Sequence, residues 1–78
     1  MKVATFIDYQ DGYFTFAFDE GHDMVFEEVH PKLISKYDLV NDKSYIGREF
    51  QLSFSEKYED YDEDFVIYRI ENLKLLDL

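Results

Sequence analysis

Apolar and polar positions in this chain alternate with the two-residue period of β-strands over most of its length, and turn residues cut that alternation into short runs. Lys2 to Tyr9 is apolar or β-branched at nearly every position and ends at Asp11-Gly12, a strong turn signal. Tyr13 to Phe18 follows at once. There Phe14, Phe16 and Phe18 share one face and Tyr13, Thr15 and Ala17 the other, which predicts a hairpin. Asp19 to Asp23 forms a polar turn. Met24 to Val29 then reads as a third strand, with Met24 and Phe26 on one side and Val25 and Val29 on the other, so the first third of the chain is a three-strand meander.

His30-Pro31 interrupts the meander, because proline cannot donate to a sheet ladder and suits the first turn of a helix. Leu33, Ile34 and Tyr37 fall on one side of one or two helical turns ending at Tyr37. After the turn-rich Asn41 to Ser44, the segment Arg48 to Ser55 alternates cleanly: Phe50, Leu52 and Phe54 against Glu49, Gln51, Ser53 and Ser55. Glu56 to Asp64 reads as an acidic loop, and Phe65 to Ile70 as a fifth strand, apolar on both faces. The tail residues Leu73, Leu75, Leu76 and Leu78 are too apolar to hang free, and either extend strand five or fold back on the domain. The expected core joins Phe50, Leu52 and Phe54 to Val3, Ile7, Phe16, Val66 and Ile70.

Three meandering strands, a short helix and two further strands form an element order that resembles the oligonucleotide/oligosaccharide-binding (OB) fold. The expected fold is therefore all-β, a small five-stranded barrel over residues 1–78 with one short helix between strands three and four. An SH3-like barrel would present the same strands. Lys36-Tyr37-Asp38-Leu39, Tyr45-Ile46-Gly47-Arg48-Glu49-Phe50 and Leu73-Lys74-Leu75-Leu76 also resemble a group of short, acidic, uncharacterised proteins of Bacteroidetes-type bacteria. That resemblance implies a bacterial domain and no particular activity. Nucleic-acid-binding OB proteins set basic residues beside stacking aromatics. Here Phe14, Phe16 and Phe18 have instead Asp8, Asp11, Asp19, Glu20 and Asp23 as sequence neighbours, which assigns these Phe to the core.

Composition agrees with one domain, since 78 residues leave room for a single core. With no Cys there are no disulfides, and eight Phe and seven Tyr supply the apolar area instead. Eight basic residues against 18 acidic give a net charge of −10, a field that repels nucleic acid and anionic membranes and attracts basic proteins. No apolar run reaches the length of a signal-peptide core or a membrane span, so the expected location is cytoplasmic.

Candidate chemistry is sparse. Asp60 to Glu71 matches the EF-hand loop at its first, third, fifth and twelfth positions, but Phe65 stands where a glycine must make the sharp turn, and the flanking segments have strand periodicity. His22 and His30, the only histidines, sit in separate turns rather than in a converging metal site, and both read as exposed loop residues. No Ser occupies a nucleophile context. Catalytic residues, metal and cofactor are therefore expected to be none. The binding candidates are Tyr58, Glu59, Asp60, Tyr61, Asp62 and Asp64, where tyrosines that anchor interfaces alternate with acids that speed encounter with a basic partner. The function expected is a non-catalytic protein-binding module of the inhibitor or immunity type. Oligonucleotide or oligosaccharide binding, by fold analogy, and mimicry of nucleic acid by spaced carboxylates are the alternatives.

Overall fold

The computed structural model describes residues 1–59 and 62–76, and for 59 and 62–65 the backbone alone. It is mostly β, with strands β1 (Lys2–Gln10), β2 (Tyr13–Phe18), β3 (Asp23–Phe26), β4 (Glu28–Val29), β5 (Glu49–Glu59) and β6 (Asp62–Leu75). One helix, α1 (Pro31–Lys36), and a single 3₁₀ turn at Lys43–Tyr45 link β4 to β5. The strands form a six-stranded sheet in the order β3-β2-β1-β5-β6-β4. All neighbours are antiparallel except β4 and β6, which run parallel.

This corrects the expected five-stranded barrel. The hydrogen-bonded sheet is mixed and does not close, because its outer strands β3 and β4 pair with β2 and β6 and not with each other. They are successive pieces of the expected third strand. At Glu27 the chain leaves the β2 edge and its N–H donates to the Tyr68 carbonyl (3.2 Å), and His30 N–H then donates to the Ile70 carbonyl (2.9 Å). One chain segment thereby runs from one end of the sheet to the other.

The first hairpin closes on a two-residue turn with Gln10 opposite Tyr13. Asp11 (φ 53°) and Gly12 (φ 90°) both lie in the left-handed region that a type I′ turn requires, which is why Asp-Gly appears there. The pairing between β1 and β2 slips at Ile7: Phe6 faces Phe16 while Asp8 faces Thr15. Ile7 is a β-bulge, an extra residue with no partner. Its consequence is a change of parity. Ala4 and Phe6 point into the core, and after the bulge the inward position passes to Tyr9, whose ring lies 4.7 Å from that of Phe14. Val3 and Ile7, both expected in the core, stand on the face opposite Ala4 and Phe6, so Val3 is half-buried and Ile7 41% exposed.

Phe16 is the hub of the core, with ring centroids 5.2 Å from Phe6, 5.8 Å from Phe26 and 6.1 Å from Phe50. Phe14, Phe16 and Phe18 are all buried, as the alternation requires. Phe50, Leu52 and Ile70 are fully buried, whereas Phe54 and Val66 are only half-buried. Helix α1 starts with Pro31 in the first turn and His30 as its cap, the Nδ1 atom accepting from Lys32 N–H at 3.1 Å. His30 is thus a half-buried capping residue and not an exposed loop residue. Leu33 and Ile34 lay this short helix on the core, and Tyr37 at its end is buried with its hydroxyl accepting from Leu75 N–H (3.1 Å).

The second hairpin departs most from expectation. Glu56–Glu59 continue β5 and Asp62–Asp64 begin β6, so the expected acidic loop is largely strand on both sides. A second bulge, at Glu71, lies between the pairs Phe54–Ile70 and Ser53–Asn72. Leu73 and Leu75 extend the last strand, with Leu73 buried and Leu76 N–H donating to the Glu49 carbonyl (2.9 Å), and Leu78 lies outside the described residues.

Candidate interaction surfaces

Two surfaces combine exposed tyrosine with carboxylates, one on each hairpin. The first is the outer face of β1, β2 and β3. Strand pairing sets Asp8, Thr15 and Val25 in one row across three strands and Gln10 opposite Tyr13 in a second row nearer the turn. With Asp11 these residues line a shallow open cleft of about 430 Å³. Tyr13 and Val25, on adjacent strands, are 46% and 47% exposed. The bulge is what puts Asp8 here, since by unbroken alternation from Ala4 and Phe6 its carboxylate would enter the core.

The electrostatics of this face are one-sided. Between Val3 and Pro31 the chain has no Lys or Arg, and all of β1 after Lys2, all of β2 and all of β3 come from that stretch. Among the described residues neither Asp8 nor Asp11 takes part in an ion pair. The nearest cation along the chain, Lys2, is engaged at the far end of the sheet with Glu20 (2.6 Å). That hydrogen bond holds the Glu20 carboxyl below its usual pKa.

The second surface is the part of the β5–β6 hairpin beyond Phe54, where no described residue is buried. Tyr58 is 59% exposed and its hydroxyl donates to Glu56 Oε2 at 3.3 Å. Of the sequence-predicted site, Tyr58 is the member whose side chain is described. Glu59 and Asp62 are paired across the two strands and Asp64 follows on β6, all three by backbone alone, and Asp60 and Tyr61 lie outside the described residues. Here the charges are mixed. Glu28 of β4 meets Lys57 at 3.6 Å and Arg69 at 3.8 Å, and Arg69 Nε lies 2.7 Å from Glu71 Oε1. Those last two atoms are shut off from solvent without an aligned hydrogen bond, so they pair by charge.

The two histidines remain apart in role. His30 caps α1, and His22 stacks on Phe18 with its ring 5.1 Å away. Among the described residues no group of three His, Asp or Glu side chains is placed to hold a metal ion, and no helix is long and apolar enough to cross a membrane. Asp62 to Glu71 runs along a single strand.

Comparison with known proteins adds no family: no protein-family model, curated protein or solved structure matches the chain.

Sequence reasoning missed the first surface although a signal for it exists. The inward residues of β1, Ala4, Phe6 and Tyr9, are spaced two and then three apart, and a change of spacing inside a strand marks a bulge and a re-aimed side chain.

Proposed function

We propose that this chain is a cytoplasmic, non-catalytic binding module whose partner is a basic protein, in the manner of a small inhibitor or immunity protein. The observation that carries the reading is Tyr58, more than half exposed beside Glu56 on a hairpin that has left the core. An exposed tyrosine offers a large, stiff contact area at low entropic cost, and the surrounding carboxylates accelerate encounter with a cationic surface. The contacting set in this reading is Tyr58, Glu59, Asp60, Tyr61, Asp62 and Asp64.

Affinity capture at low and high salt tests it. The wild-type chain should retain a basic protein that elutes as salt rises, and a Tyr58→Ala, Glu56→Gln variant should retain less of it. Absence of a partner at either salt, or equal retention by the variant, would sink the reading.

A further inference from the structure

We infer that the outer face of β1, β2 and β3 is a second binding site, distinct from the β5–β6 hairpin, and that its occupant is an extended basic peptide segment with a Lys or Arg side chain seated between Asp8 and Asp11 against Tyr13. Three observations on this face converge. The cleft has a largely apolar lining: Tyr13 and Val25 stand nearly half exposed on adjacent strands, with Thr15 directly opposite Val25. Its two carboxylates come from different positions of the hairpin, Asp8 re-aimed by the Ile7 bulge and Asp11 held in the left-handed turn, and both line the cleft together with Tyr13. Neither has an ion-pair partner among the described residues, and the stretch of chain that builds the face contains no cation.

A guanidinium or ammonium group answers all three features. Its charge meets both carboxylates, its methylenes cover the tyrosine and valine, and a cation over a tyrosine face gains further attraction from the ring quadrupole. Thr15 and Gln10 supply a hydroxyl and an amide for hydrogen bonds to the backbone of the bound segment. From Asp8 across Thr15 to Val25 the row spans about two strand spacings, roughly 10 Å, which suits an extended chain more than a bulky fold. A nucleic acid strand fails on charge. A neutral sugar could use the tyrosine and the polar groups, but it gains nothing from the charge of the two carboxylates that line the cleft.

Titration of the full chain with an acetylated, amidated tetra-arginine peptide, followed by amide chemical shifts, tests the inference. The expected result is saturable movement of the Asp8, Gln10, Tyr13, Thr15 and Val25 amides. Affinity should fall roughly tenfold in Asp8→Asn, Asp11→Asn and about threefold in Tyr13→Ala, with Tyr58→Ala unchanged. All of these positions are on the surface, and an unchanged melting temperature for each variant confirms that the fold is intact. Shifts scattered over every acidic patch, with no loss in the Asp8→Asn, Asp11→Asn variant, would overturn it as mere charge attraction. So would maltotetraose moving the same amides while the peptide does not, or no shift with either probe. The Tyr58→Ala arm separates the two sites, since failure of the hairpin reading leaves the peptide titration at Asp8 and Tyr13 untouched.

Discussion

The two hairpins carry similar residues and treat them differently. In β1–β2 every inward residue meets a core of rings, so the outer face is a rigid platform on which Asp8, Tyr13 and Thr15 hold fixed places. In β5–β6 the same alternation continues past Phe54, yet the described residues from there to Arg69 are nowhere buried. What holds that stretch together is the ladder, the Tyr68 ring packed on Phe54 at the edge of the core, and the Lys57–Glu28–Arg69–Glu71 charges. The difference teaches that alternation specifies a strand, whereas only what lies behind the strand decides how firmly its exposed face is positioned.

The largest effect should come from removing that backing. Phe16→Ala, at the hub of the rings, is expected to cost about 3–5 kcal/mol, comparable to the total stability of a small domain, and denaturant unfolding would measure it. A loss below about 1 kcal/mol would mean that the first hairpin has no more backing than the second. Next is the turn. A Cβ at Gly12 meets nothing within 4 Å, so Gly12→Ala suffers only from the left-handed backbone, and the expected loss is roughly 1–2 kcal/mol in melting experiments. Arg69→Met leaves Glu71 without its partner and Glu28 with Lys57 alone, for an expected loss of about 1 kcal/mol. It should be felt first as faster amide exchange at Val29 and Ile70. On the exposed hairpin, Tyr58→Ala should change stability by less than about 0.5 kcal/mol.

The smallest effect concerns pH. Glu20, whose carboxyl is held below its usual pKa by Lys2, contributes stability that is complete above that usual value and is lost as pH falls through the lower folded-state value. Carboxyl chemical shifts of Glu20 should therefore titrate at lower pH than an ordinary Glu, and Lys2→Met should bring the midpoint back up. An unmoved midpoint in that variant would remove the ion pair from the account. Asp42 is lowered in the same direction by Ser44, whose hydroxyl and N–H both donate to it.

Much of the fold was legible from period and punctuation alone. The Phe14, Phe16, Phe18 face, the Phe50 and Leu52 strand, the Asp11-Gly12 turn and the Pro31 helix start each follow from one local rule, and each is found where that rule puts it. What local rules could not supply was pairing. Ile7 sits in an apolar run and reads as core, yet it stands on the face opposite Ala4 and Phe6, and only the bulge that leaves it without a partner on β2 turns Asp8 to that same outer side. Glu27 breaks the third strand because β6 competes for the chain from the other end of the sheet, a contact some forty residues distant in sequence. The Glu56–Asp64 segment was misread for a related reason. Its density of acids argues for a loop, while a long antiparallel neighbour can keep such residues in a ladder by backbone bonds that do not depend on side-chain type. Of the candidate site, Tyr58 was recognised as an exposed tyrosine from composition. The cleft at Asp8 and Tyr13 depends on a register shift and was invisible until the strands were aligned.

Native-state hydrogen exchange tests the contrast between the hairpins most directly. Paired amides of β1 and β2 around Phe6, Phe14 and Phe16 should exchange only through global unfolding, whereas paired amides from Ser55 to Tyr58 and from Val66 to Tyr68 should exchange at least about a hundredfold faster through local opening. Equal protection in the two hairpins, or faster exchange in β1–β2, would contradict the claim that the first presents a rigid, core-backed face and the second does not.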